Sequence, residues 1–197
     1  GDDHGPTGTY QYPTHATFDR PNDLLGLTIE ARGHNLDVTV EMAQPLSTVW
    51  NPPNGFDHLH LSLFIDLPER VGTTVLPNRN ATMPDSSAWD LHIQANGWTT
   101  QVHTARGASA THPGTALTTK PEITTQPEKG IVTLHIPAAT LSDPATLDGI
   151  QFYLTTWDSA GEGGLRPLGP TAASFTYGGA PKDSPRIMDA LWIPWEE

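Results

Sequence analysis

Residues 36–42, Leu-Asp-Val-Thr-Val-Glu-Met, alternate apolar and polar without a break. A period of two marks a strand with one buried face. The pattern recurs along the chain. In Leu59-His60-Leu61-Ser62-Leu63-Phe64-Ile65-Asp66 one face carries Leu59, Leu61, Leu63 and Ile65, while Phe64 on the other implies that the second face is partly covered too. Trp89, Leu91 and Ile93 share a face, as do Val132, Leu134 and Ile136. Every run is short, and the 18 Gly and 19 Pro punctuate the chain too often for long helices. About nine to twelve short strands with turn signals at intervals of roughly ten residues predict an all-β, antiparallel sandwich, immunoglobulin-like in general architecture.

Other segments fit this frame. Residues 24–31 read as a strand with Leu25, Leu27 and Ile29 on one face, joined through Gly33-His34-Asn35 to the run at 36–42 as a hairpin. Residues 99–104 pair with the preceding strand across Asn96-Gly97-Trp98. Residues 67–88 are mostly loop, and 105–130 form a polar excursion with one or two irregular strands. Pro137-Ala138-Ala139-Thr140-Leu141 suits one helical turn. Residues 150–156 are bulky enough for a central strand, and 174–177 for a short one. Neither an internal repeat nor a linker divides the chain, so residues 1–197 are expected to form one domain with a sizeable core.

The formal charge of −12 disfavours nucleic acid and anionic membrane surfaces, both of which need a basic footprint. There is no Cys, so disulfides and thiolate metal sites are excluded. No apolar run approaches the ~18 residues that suggest a membrane span. The chain opens on an acidic loop rather than a leader, and it reads as a mature or excised piece of a longer protein.

That opening, GDDHGPTGTYQYPT, resembles the "GDDxGPGxYxYP" start of the domain at the C-terminal end of glucodextranases and some amylopullulanases. Pro-Asn-Gly-Phe at 53–56, Ile65-Asp66, Asn78-Arg79-Asn80 and the closing Pro185-Arg186-Ile187-Met188-Asp189-Ala190-Leu191 are similar to further landmarks of that family. The resemblance implies a DOMON-like, carbohydrate-module-9-like β-sandwich. It also implies a non-catalytic accessory domain of an exported α-glucan-acting enzyme or cell-surface protein, secreted or displayed outside the cell. Its expected partner is an α-glucan or other carbohydrate, or a cell-wall polymer. A cell-surface anchoring or interaction module is the alternative, followed by a b-type haem-binding electron-transfer domain.

Several constellations bear on these roles. Relatives of this kind hold calcium near their chain ends, so the resemblance implies a structural calcium ion at Asp2, Asp3 and Asp158. Asp19, Asp23 and Asp66 are further candidates to complete its shell. Carboxylates in a Gly/Pro-rich loop have the hard-oxygen chemistry that calcium needs. Sugar rings stack their CH faces on indole, and Trp50 and Trp98, each beside Asn in a tight turn, are the preferred ligand-binding residues among Trp50, Trp98, Trp157, Trp192 and Trp195. His58-x-His60 places two rings on one strand face, but two ligands do not make a zinc site, and with His92 and His135 also at polar strand positions histidine reads as a general surface residue. Met42 reads as core filler before it reads as a haem ligand. Asp158 and Glu162 lack the defined separation of a glycosidase pair, and no catalytic residue is assigned.

Overall fold

A computed structural model describes residues 2–84, 87–142, 147–160 and 164–194. Its strands run β1 (Leu24–Arg32), β2 (Asn35–Met42), β3 (His60–Asp66), β4 (Val75–Leu76), β5 (Ala81–Thr82), β6 (Leu91–Asn96), β7 (Thr100–Thr104), β8 (Thr115–Ala116), β9 (Glu122–Gln126), β10 (Ile131–Ile136), β11 (Gln151–Trp157) and β12 (Ala190–Pro194). One sheet has four strands in the order β1-β2-β10-β9; the other has six, β12-β11-β3-β6-β7-β8. A ribbon of β4 and β5 lies apart from both. Every ladder between these strands is antiparallel. The expected all-β sandwich is the fold.

The alternating patterns decide what lies between the sheets. Leu36, Val38 and Val40 of β2 and Val132, Leu134 and Ile136 of β10 meet Leu61, Leu63 and Ile65 of β3, Leu91 and Ile93 of β6, and Phe152 and Leu154 of β11 in one core. Met42 is part of it, 3% exposed. The first hairpin forms as its turn residues predict, with Arg32 opposite Asn35 and Gly33 at φ 65°, where glycine carries no steric cost. A bulge between Leu24 and Gly26 reverses the expected facing at the start of β1: Leu24 is buried and Leu25 is 63% exposed. The turn predicted after Pro137 is a short 3-10 helix, Ala138–Leu141.

Three other expectations are corrected. Residues 174–177 form no strand of their own; Ala173 and Thr176 bridge each other across a tight turn. Trp89 does not join Leu91 and Ile93 in the shared core. It precedes β6, bridges to Thr73, and packs with Phe64, Leu76, Met83 and Ile187 on the outer face of the six-stranded sheet. Histidine is not uniformly a surface residue: His135 keeps part of its ring in solvent, but His60 and His92 are buried, because the covering implied by Phe64 is a second apolar layer.

The N-terminal segment lies along residues 173–189. Gly5 N–H donates to Met188 O, Tyr10 Oη–H to Pro185 O, and Gln11 pairs with Gly178. Tyr10 packs edge-on against Trp157, whose ring is fully buried beside Tyr177. Trp157 is therefore a core residue at the end of β11, not a loop aromatic. Close approach fixes the path, since a Cβ on Gly179 would come within 2.0 Å of Thr9 O.

Candidate functional site

Three loops meet at one end of the sandwich. The β2–β3 connection carries Trp50 and His58, the β6–β7 turn carries Trp98, and the segment after β11 carries Ser159, Ala160, Arg166 and Phe175. These seven residues line a cavity of about 460 Å³. Trp50 is 55% exposed, and Trp98 and Phe175 are each 43% exposed. The two tryptophans chosen from the sequence thus flank one cavity.

The platform is braced. Asn54 N–H donates to Gly97 O at 2.9 Å, and Asn54 Nδ2 to Asn96 O at 2.6 Å, so the loops bearing the two tryptophans are tied together. Gly97 has no room for a side chain, because a Cβ there would lie 2.1 Å from Phe56 O. Asn96 Oδ1 accepts from the amides of Trp98 and Thr99, which shapes the turn. Asp57 Oδ2 accepts from Trp50 N–H at 2.8 Å.

Under the aromatics lies a polar floor. Trp50 Nε1 donates to His58 Nε2 at 3.2 Å. An accepting Nε2 leaves the proton of a neutral ring on Nδ1, which faces Asp158 Oδ2 at 3.6 Å. Arg166 Nε donates to the same carboxylate, and its Nη2 to Ser159 O at 2.9 Å. The Arg166 guanidinium also lies 5.0 Å from the Phe18 ring and 5.6 Å from that of Phe175. The chain Trp50–His58–Asp158–Arg166 holds one indole in place and neutralises a buried charge, as buried ion pairs require. Asp158, expected at an ion, is engaged here. Glu162 and Trp195 lie outside the described residues. Trp192 sits on β12 against Tyr153, away from this cavity.

Asp3 is also engaged by an arginine. It is fully buried and accepts from Arg20 Nε at 3.1 Å and Nη2 at 2.6 Å. Burial alone would raise its pKa, but Arg20, with a smaller contribution from the nearby Tyr12 hydroxyl, outweighs that and holds it below the usual value. Asp2, by contrast, comes together with Asp23 and Asp189, with one carboxylate oxygen of each within 4.8 Å of the others. Among the described residues this is the group with metal-ligand spacing; of the carboxylates expected near an ion it holds Asp2 and Asp23, while Asp3 and Asp158 lie against arginines. Burial raises the pKa of Asp23 and repulsion from Asp3 adds to it, against the lowering effect of Arg20, whose Nη2 donates to Asp23 Oδ2 at 2.5 Å. Asp189 is raised by burial, then by Asp2 and Asp23, against the lowering effect of the Leu24 and Ala190 amides that its carboxylate accepts. Three carboxylates this close together, two of them buried, offer the hard oxygen donors that a cation such as calcium takes.

The cavity residues Arg166 and Phe175 carried no local signal, because they lie in an irregular stretch with no periodicity. Asp189 did have one, since it sits inside the closing motif that resembles the family. Over residues 1–197 the sequence matches a family model described as the C-terminal binding-module, SLH-like, of glucodextranase. The chain belongs to this family. No curated protein matches it. Among the described residues of the module, no helix is long and apolar enough to cross a membrane.

Proposed function

We propose that the chain is a non-catalytic, carbohydrate-binding accessory module that takes α-glucan in the cavity between Trp50 and Trp98. The observation that carries this reading is the convergence of two exposed, braced indoles on one 460 Å³ cavity over a hydrogen-bonding floor. Aromatic faces with a few placed polar groups are what a sugar ring needs. Few contacts and an open cavity limit affinity to about the millimolar-to-micromolar range. Migration in native gels containing pullulan, dextran or starch tests the proposal. Retardation is expected in at least one gel and is lost in Trp50→Ala and Trp98→Ala, and the chain releases no reducing sugar. Unchanged migration in all three, with flat calorimetry against their oligosaccharides, sinks the glucan reading. The family description supports an exported or cell-surface home. Pull-down on cell-wall polymer in place of starch would favour the anchoring alternative.

The same proposal includes a structural calcium ion at Asp2, Asp23 and Asp189, which would dock the first residues onto the segment before β12. An ion bound only by the folded state stabilises it by about 2.7 kcal/mol at a hundredfold excess over its dissociation constant. Calcium is expected to raise the melting temperature, a chelator to lower it, and Asp23→Asn with Asp189→Asn to abolish the difference. Both carboxyls have raised pKa values, so protons compete with the ion, and the calcium effect should shrink as pH falls toward the carboxylate range. An identical melting temperature with calcium and with chelator at neutral pH argues against the ion.

A further inference from the structure

Arg79 and Arg186 belong to two of the motifs that resemble the family, and the glucan-binding reading uses neither. The fold brings them together over the outer face of β3. Arg186 N–H donates to Arg79 O at 2.8 Å, and Arg79 Nη1 donates to Arg186 O at 3.3 Å. Arg79 is 1% exposed, and among the described residues no carboxylate pairs with it. Its Nη2 donates to Ser62 Oγ, and its Nε has no partner among the described residues.

The ground beneath is polar and equally unpartnered. Thr155 of β11 stands opposite Ser62, and its Oγ1 has no partner. His60 lies two residues before Ser62 on the same face, with Nδ1 against Ser159 Oγ at 3.2 Å and Nε2 free. His92, opposite Phe64 on β6, has both ring nitrogens unpartnered. Ser62, Thr155 and His92 are completely buried, and His60 is 4% exposed. Phe64, Trp89, Leu76 and Ile187 build the apolar layer on this face.

A buried guanidinium without a counter-charge is costly, and native proteins pair such charges. Burial and Arg186 bring Arg79 down to about 9, which still leaves it protonated at neutral pH. Burial holds His60 and His92 far below the ordinary imidazole value, so neither adds charge. The set therefore offers one fully buried positive charge, with the Arg186 guanidinium close enough to act on it, and several N–H and O–H donors, with no acidic acceptor among the described residues. Water would fill the hydrogen bonds and leave the charge unbalanced. Arg186 is only partly buried and keeps contact with solvent, so a divalent anion would overcompensate the one fully buried guanidinium.

We propose that Arg79, Ser62, Thr155, His60 and His92 form a buried site for a monovalent anion of halide size. Such an ion would pin the segments carrying Arg79 and Arg186 to the sheet, independently of the sugar cavity and of the carboxylates at Asp2.

The test uses the whole chain in sodium chloride, bromide or gluconate at one ionic strength, with chelator present throughout. Halide at ten times its dissociation constant should raise the melting temperature by about 3–6 °C over gluconate. Thr155→Val should weaken that rise, and Arg79→Met should remove it. Crystals grown in bromide decide the matter even if Arg79→Met fails to fold. An anomalous peak within hydrogen-bonding reach of Arg79 Nε establishes the site. An ordered water there with no bromide signal, and a melting temperature indifferent to the anion, overturns it.

Discussion

The two sheets turn faces of opposite character away from their shared core. On the four-stranded sheet the outward side chains are polar and in part solvated. One row runs Thr28, Thr39, Thr133 and Thr124 across all four strands, and the next runs Glu30, Asp37, His135 and Glu122. On the six-stranded sheet the outward residues His60, Ser62, Phe64 and His92 are buried, because the long connections fold back over them. Both sheets have the same pleat and the same kind of inner face. Only the second acquires a further layer, and all three candidate sites lie at its margins or beneath its cover. A bare face keeps its polar groups satisfied by water; a covered face must satisfy them internally, and where it does not, a ligand is implied.

Trp89→Ala tests this contrast most severely. The ring is fully buried against Phe64 at 5.5 Å, and Nε1 donates to Val75 O at 2.7 Å. Losing the indole should cost about 3–5 kcal/mol in urea denaturation, from the cavity and from the carbonyl left unpaired. A loss below about 1 kcal/mol would mean that the cover is loosely held and contributes little to the fold.

A smaller effect separates the faces by pH. Burial depresses His60 and His92 well below 6.5, so the unfolded chain takes up protons first on acidification. Their contribution to stability is present above about pH 6.5 and is lost as pH falls below it, at up to about 1.4 kcal/mol per pH unit for each ring. His92→Phe preserves the stack on Phe64, 4.1 Å between centroids, and should flatten the decline between about pH 6.5 and 5.5. Asp37 on the bare face works in a lower window. Bonds from His135 and then Arg32 lower its pKa, so its contribution is present above 3.8 and is lost as pH falls through the depressed value. An unchanged slope in His92→Phe would show that His92 already titrates in the folded state as it does in the unfolded one.

The same contrast explains what was legible in the sequence. Period-two alternation reports one buried face, and β2 and β10, polar on the other, were read with their facing correct. In β3 the odd note of Phe64 correctly announced a covered second face. Trp89 was misplaced because alternation was carried back one step beyond β6, where the chain already belongs to the covering layer. His92 was misread because a histidine at a polar position looks the same whether water or Trp89 lies above it. At the cavity proposed for sugar, Trp50 and Trp98 were legible from exposed turn chemistry. Arg166 and Phe175 were not, since only the path of the irregular 164–189 segment brings them there. Among the carboxylates, the sequence shows that Asp2 and Asp3 are adjacent, but not that Arg20 takes Asp3 or that Arg166 takes Asp158. Partners so distant in sequence leave no local trace.

The smallest effect belongs to the centre of the bare face. Thr39 and Thr133 are cross-strand neighbours, with Oγ1 atoms 3.1 Å apart and both residues only half buried. Thr39→Val keeps the β-branch and its strand preference while removing one hydroxyl; water can replace the bond at Thr133. Each single change to Val should stay within about 0.5 kcal/mol, and the double-mutant coupling should fall near the low end of the 0.2–1 kcal/mol typical of cross-strand pairs. The position is central in its sheet, so the small cost would come from solvation rather than from distance to an edge. The corresponding hydroxyl on the covered sheet, Thr155, has no such access to water. A loss above about 1.5 kcal/mol in Thr39→Val would break the comparison, because it would mean that something covers the four-stranded sheet in solution. Repeating the melt across a hundredfold range of protein concentration would then show whether a second copy of the chain provides that cover.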